Sequence, residues 1–554
     1  MEITNGHHLN GGGGDGTPDV SLILQAIEAI YNPRSTNDIR HQANSLLETT
    51  KSSPQARELG FTIAYDSSKD PTLRHYGLTL LDYHTRYVWD GYDEETEAVL
   101  RDCVVRLAQG VRREDPSYLR NKVAHLWTGF AKRSWGTWWT DMDEQLVRLF
   151  EASEAHREVV LYVLQTLAED VFARDDALAA ARGEVLAAAC IEIFTPEALM
   201  ADKNVSKTGQ SVGVRYGTEG WLQRLSTFLE WALGNDHVAA AKTVETLGSA
   251  LSWMPSATIA ATNAIAPVCR AVVTGGVALR LAAVEALTPV CSREKMPDED
   301  ALKIVMPLFG TESVQSLHSA YQWARVDAND IDDAKYTLLQ KIAKFLSRLG
   351  AWIEKNPALL PDSSDLPRFF ELIFEVARDL SLKVSEQVLR LWTHLLRIPT
   401  LRDSAIIQQS IGPLMEMCSQ RLVRYESLPE DTDDPIVIFI NEDFDTIPEK
   451  HMFLGNYRRY CLDVVEAAVR KFPVDAVSHI LGQAQALYRD LQSSMAAFQR
   501  ESTYLDASHS QANQTCSPKL LQKVARVPPR RRTSHARRRL RKGLHEMALH
   551  ARRK

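Results

Sequence analysis

Cysteine pairing is the first thing this 554-residue sequence lacks. Its seven cysteines, Cys103, Cys190, Cys269, Cys291, Cys418, Cys461 and Cys516, are widely spaced with no Cys-x-x-Cys, so spacing indicates neither a zinc site nor a dithiol redox pair. No stretch approaches the roughly 18 uninterrupted apolar residues of a membrane span. The start, MEITNGHHLNGGGGDGTPDV, has neither a basic n-region nor an apolar h-region, which predicts a chain of the cytosol or nucleus with no membrane insertion. Strand-like alternation is nearly missing. So are GxxxxGK[ST], HExxH and GxSxG, and the scattered histidines form no ligand cluster; the expectation is no enzyme, no catalytic residue, no metal and no cofactor.

What is present is ordinary globular composition, 45% hydrophobic and 24% charged, with a formal charge of −7. That total hides an uneven distribution. Residues 519–554 hold 14 Lys or Arg against the single acid Glu546, a charge of +13; removing them from totals of 64 and 71 leaves 50 basic and 70 acidic residues, or −20. An acidic body suits basic partner surfaces.

From Pro18 to about Leu491 the pattern is helical. In Thr72–Trp89, Leu73, Tyr76, Gly77, Leu80, Leu81, His84 and Val88 recur at three- and four-residue steps, leaving His75, Thr79, Asp82 and Arg86 as a polar stripe. Similar runs follow at 94–109, 117–133, 155–173, 237–252, 256–273, 331–354, 383–397, 453–472 and 474–492, among others, broken by punctuation such as Asp70-Pro71, Asp115-Pro116 and Gly275-Gly276. Helix pairs recurring at roughly 35–45 residues are the period of HEAT arrays. The predicted fold is an all-α HEAT-repeat α-solenoid, a right-handed superhelix of antiparallel helix pairs that bury their faces by stacking.

Four parts are expected: a flexible leader, 1–17; repeats over 18–110; repeats over 111–491, interrupted by a polar loop at 194–217 and an acidic loop at 425–451; and a disordered basic tail, 492–554. The acidic loop carries nine acids between Glu426 and Glu449 with no Lys or Arg among them. The tail fits phosphate binding, a nuclear localisation signal, or sequence that is not native coding sequence. Trp127, Trp135, Trp138 and Trp139 lie close to Lys132 and Arg133, a combination that can stack on bases; packing between repeats is the favoured reading.

These residues also carry a resemblance. Arg40, Ala43 and Leu47, the helix after Pro54, Leu73-Arg74-His75-Tyr76-Gly77 and Leu80-Leu81 through Trp89 resemble the N-terminal repeats of β-karyopherins of the importin-β superfamily. Arg120-Asn121-Lys122 with Trp135 and Trp139 resembles the exportin-type segment that follows, although the family usually has proline where this chain has Gly136. Leu167-Ala168-Glu169-Asp170-Val171 and Asn441-Glu442-Asp443-Phe444 are most similar to the exportin-5 class and its fungal counterpart. The resemblance covers about 18–491 and suggests the N-terminal half of a longer receptor.

The resemblance implies a nuclear export receptor that shuttles between nucleus and cytoplasm. Its implied partners are Ran-GTP, export cargo (proteins, tRNA or other small structured RNA such as pre-miRNA) and the FG-repeat proteins of the pore. It implies Ran contacts on the second helix of each pair, at His75, Thr79, Asp82, Arg86, Asn121, Lys122 and His125, and in the acidic loop at Glu442, Asp443 and Asp445. Alternatives are another β-karyopherin, such as an importin, and a non-transport HEAT scaffold.

Overall fold

Side chains that accept hydrogen bonds from the first free N–H groups set many of the helix starts. In the computed structural model, which describes residues 20–498 apart from 90–91, 174–175, 202–204, 206–210, 294, 357–358, 360–363, 399–404 and 429–431, Asp70 accepts from the Thr72 N–H at 2.8 Å and Asp93 from Thr96 at 2.9 Å. Asp236 accepts from both Val238 and Ala239 at 3.0 Å. The leader, and the tail beyond Phe498, lie outside the described residues.

The chain divides into two compact units, Met1–Val268 and Cys269–Lys554. In the first, antiparallel pairs follow one another: α1 (Val20–Tyr31) with α2 (Asn37–Lys51), α3 (Ala56–Tyr65) with α4 (Pro71–Tyr87), α5 (Glu94–Gln109) with α6 (Ser117–Ser134), and α7 (Met142–Ala152) with α8 (Glu154–Ala173). Short α9 (Ala177–Ala181) and α10 (Gly183–Phe194) lead to the pair α11 (Gly220–Asn235) and α12 (His237–Trp253), then α13 (Ser256–Ala261). The second helices α2, α4, α6, α8 and α12 pack side by side in one layer, and α3, α5 and α7 form the other. Helix α14 (Ile265–Ala271) runs across the division.

The second unit repeats this plan. After α15 (Val277–Cys291) and α16 (Asp298–Ile304) come α17 (Thr311–Ala324) with α18 (Asp333–Lys355) and α19 (Leu366–Ala377) with α20 (Leu382–Leu395). Then follow α21 (Ala405–Gln420), α22 (Pro435–Asp443), α23 (Ile447–Lys471) and α24 (Pro473–Phe498). Helices α15, α18, α20 and α23 form one layer; α17, α19, α21 and α24 form the other. This is the all-α HEAT-repeat architecture expected. Among the described residues no strand forms, only the isolated bridges Trp135–Trp139 and Asp327–Asp330.

Burial follows the apolar stripes. Leu73, Leu80 and Leu81 of α4 are buried, as are Leu338, Leu339, Ile342, Phe345, Leu346 and Leu349 of α18; each such side chain contributes about 1.5–3 kcal/mol when removed from water. Trp127, Trp135 and Trp139 are fully buried, so these three serve packing, whereas Trp138 stands 59% exposed. Helices α3 and α4 cross so closely that a Cβ on Gly77 would sit 2.7 Å from the Gly60 carbonyl oxygen, which restricts that position to glycine. Gly136 has φ +77°, a value proline cannot adopt, so the turn after α6 is built differently from the family's usual proline-bearing one.

Three sequence expectations need correction. The run 256–273 is two helices, interrupted at Thr262–Ala264, where the Thr262 hydroxyl turns back to the Thr258 carbonyl at 3.0 Å. Helix α24 continues to Phe498 rather than ending near 492. The acidic segment 425–451 is not one continuous loop, since its described part contains α22 and the start of α23: Asp434 caps α22 at the Ile436 N–H, 2.8 Å away, Pro435 occupies its first turn, and Val437, Phe439 and Ile440 are buried. Those apolar residues fix the segment to the repeats despite the surrounding acids.

Candidate functional site

The predicted strip on α4 and α6 does come together in the first unit. Asp82, one turn before Arg86, accepts from its Nε at 3.0 Å and from Lys122 Nζ at 2.8 Å, while His125 Nε2 stands 4.0 Å away. Arg86 also meets the His125 ring. Burial opposes charge on Asp82, but its bond to Lys122 and the Lys122, Arg86 and His125 charges outweigh it, and the carboxyl is held below its usual range. Burial pushes His125 down, as does Lys122, against the pull of Asp82.

The remaining members sit around this group. His75 is half-buried and edge-on to Tyr118 at 5.8 Å; burial, then the Lys122 charge, lower its pKa. The Thr79 hydroxyl donates to the His75 carbonyl at 2.9 Å, and Asn121 Oδ1 is buried with no hydrogen-bond partner among the described residues. Asp82 is therefore not an outward contact group as expected. It is a buried tie between two repeats, and the outward parts of the strip are Arg86, 49% exposed, and His125, 34% exposed.

The tie is one of a series that the sequence reading missed. Arg74 meets Asp115 at 2.5 Å, Arg120 meets Glu158 at 2.8 Å, and Lys242 of α12 reaches Glu158 at 3.3 Å. Lys132 lies 2.8 Å from both Asp170 and Asp176. Acids and bases thus alternate from α4 through α6 and α8 to α12. These pairs tie adjacent repeats in register, and in the buried one, Arg74 with Asp115, loss of either partner is strongly destabilising.

In the second unit Asp443 is likewise turned inward, with 3% of its side chain exposed, which corrects its reading as a free contact. It accepts from the Tyr336 hydroxyl at 2.8 Å and lies 3.3 Å from Lys383 Nζ. Burial raises its pKa against the bonds from Tyr336 and Lys383. Phe439 stacks on Tyr336 at 5.5 Å. Glu442 and Asp445 remain exposed on either side, so the end of α22 and the turn after it present two acids from a platform docked on α18 and α20.

Part of the polar segment 194–217 is also anchored. Glu192, buried at the end of α10, accepts from the Ser211 hydroxyl and the N–H groups of Val212, Gly213, Val214 and Arg215 at 2.5–3.3 Å. Asp143 accepts from Tyr216 N–H at 2.7 Å and Trp221 Nε1 at 2.6 Å. Burial pushes the Asp143 carboxyl up to about 6 against those bonds and the charges of Arg224 and Arg215. A raised acid pKa contributes stability fully below the unfolded value, near 3.9, and loses it as pH rises through 6. The destabilisation caused by Asp143→Asn should therefore shrink by about 2 kcal/mol between pH 4 and pH 7, as measured by urea unfolding of both proteins; a constant difference contradicts the assignment.

Among the described residues no helix is long and apolar enough to cross a membrane. Two family models match: one for Exportin 1-like protein over residues 116–287, and one for the Exportin-5 family over 333–517, which extends into the part read from sequence as tail. The curated relatives include Protein MSN5 of Saccharomyces cerevisiae, 26% identical over 465 residues, 80% of this chain and 37% of that protein. Exportin-5 of Homo sapiens is 25% identical over 467 residues, 81% and 37% respectively. Exportin-5 of Dictyostelium discoideum is 21% identical over 460 residues, 81% and 38%. The chain thus spans well under half the length of these relatives.

The stacked helix pairs and these matches together support an exportin-5-like, helical-repeat karyopherin. Such relatives are transport receptors and not enzymes.

Proposed function

We propose that this chain serves nuclear export: it binds Ran-GTP and a cargo, protein or structured small RNA such as tRNA or pre-miRNA, and crosses the pore through contacts with FG-repeat proteins, shuttling between nucleus and cytoplasm. The observation that carries the reading is the pair of exportin-type matches, over 116–287 and 333–517, which among the described residues fall on stacked helix pairs.

The mechanism is linkage. Ran-GTP and cargo each favour the same arrangement of the repeats, so each raises the other's affinity by one factor. Hydrolysis of GTP on Ran, outside this chain, releases both. Arg86 and His125 in the first unit and Glu442 and Asp445 in the second supply outward contacts; Asp82, Lys122 and Asp443 position them through the bonds already described.

Charge reversal at the exposed acids tests the second group. Glu442→Lys with Asp445→Lys should weaken Ran-GTP binding about tenfold or more at low salt and reduce its salt dependence, read by fluorescence titration. Unchanged affinity removes α22 from the contact surface.

A further inference from the structure

The layer of second helices in each unit treats its cations differently. In the first unit Lys122, Lys132 and Arg120 are all engaged with carboxylates of neighbouring helices. In the second, Lys344 and Arg348 of α18, Arg390 and Arg397 at the end of α20, and Arg459 of α23 are exposed. Among the described residues none of these five has a carboxylate within ion-pair distance, although the Arg390 charge is felt by Glu386, one turn before it on α20.

Three of them stand in one row. The α18–α20 register is fixed by the Tyr336 and Ser381 hydroxyls at 2.7 Å and by Glu354 with His394 at 2.9 Å, which places Arg348 level with Arg390. The α20–α23 register is fixed by the Ser385 and Tyr457 hydroxyls at 2.8 Å. Arg390 and Arg459 both lie over the Tyr460 ring, at 5.4 Å and 5.2 Å from its centre, so one ring ties the two guanidinium groups to the α20–α23 seam. With neighbouring helices about 8–10 Å apart, the row is about 20 Å long, and Lys344 adds a cation one turn before Arg348.

We propose that this row on α18, α20 and α23 is a docking surface for an acidic, carboxylate-bearing segment of a partner protein. Guanidinium forks match carboxylates in pairs, and about six residues of extended chain cover 20 Å. The surroundings limit the partner's size. Acids flank the row on both sides: Glu442 and Asp445 adjoin Asp443, which meets the N-terminal turns of α18 and α20, and Glu354 and Glu466, already paired with His394 and Arg470, lie toward the C-terminal ends of α18 and α23. A nucleic acid duplex, carrying a charge about every 1.7 Å over a much longer span, would bring phosphates onto those acids and against a body of charge −20. A short acidic segment meets only the row. The proposal does not depend on Ran, and its test contains no GTPase.

The test is fluorescence anisotropy of the full chain with a labelled ten-residue polyglutamate peptide, alongside a 20-base-pair RNA duplex. The peptide should bind. Arg348→Glu with Arg390→Glu and Arg459→Glu should weaken it at least tenfold with the circular dichroism spectrum unchanged, and the corresponding Gln variants should fall between, because these side chains lie outside the core. Failure of the peptide to bind the unaltered chain, affinity within twofold after charge reversal, or a duplex that binds more tightly than the peptide and loses that binding in the variants would each overturn the proposal.

Discussion

Glu192→Ala is expected to destabilise the first unit by about 3–5 kcal/mol. One buried carboxylate accepts from four successive backbone N–H groups, Val212 to Arg215, and from the Ser211 hydroxyl. Removing it strands several donors at once, and each unsatisfied buried donor costs about 1–3 kcal/mol. The total stays below their sum because the segment can lift toward water. Asp143, which holds Tyr216 and Trp221, resists that movement. Equilibrium unfolding in urea should show the lowered midpoint, and proteolysis should cut faster near 211–217. A loss under 1 kcal/mol would mean that the segment is held by its apolar contacts, chiefly buried Val214.

Trp139→Ala is expected to cost a similar 3–5 kcal/mol. Its ring, fully buried, tilts against Trp127 at 4.9 Å and meets the Phe130 edge at 6.2 Å, and its Nε1 donates to Gln145 at 3.1 Å. The cavity left would lie where the turn after α6 meets α7, and Gln145 would lose a bond. Trp138→Ala is the control. That ring points outward, and its loss should change stability by no more than about 0.5 kcal/mol. Equal effects of the two substitutions would contradict the packing described for the turn.

Adjacent Trp138 and Trp139 show what a sequence can and cannot convey. Helical periodicity identified α4, α5, α6, α8, α12, α18 and α20 with nearly the observed limits, since each buries a stripe on a 3.6-residue period. In the turn no period exists, so one tryptophan's burial could not be told from the other's exposure. The strip Asp82, Arg86, Lys122 and His125 was legible as a group, because α4 and α6 are consecutive second helices. Its mutual neutralisation was not. A signal did exist: Arg74 and Asp115, Asp82 and Lys122, Lys132 and Asp170 are 41, 40 and 38 residues apart, opposite charges offset by one repeat. The segment 425–451 was misread because its nine acids outweighed, in composition, the buried Val437, Phe439 and Ile440 that seat α22. Asp443 shows the consequence. A residue in an acidic stretch reads as solvated, yet its neighbours on the helix carried it into contact with Tyr336 and Lys383.

The proposed function requires these repeats to read the nucleotide state of Ran. Equilibrium titration of the full chain with Ran loaded either with a non-hydrolysable GTP analogue or with GDP tests this most directly. Binding should favour the GTP form by at least tenfold, about 1.4 kcal/mol. Equal affinity for the two forms, or no binding to either, would contradict it.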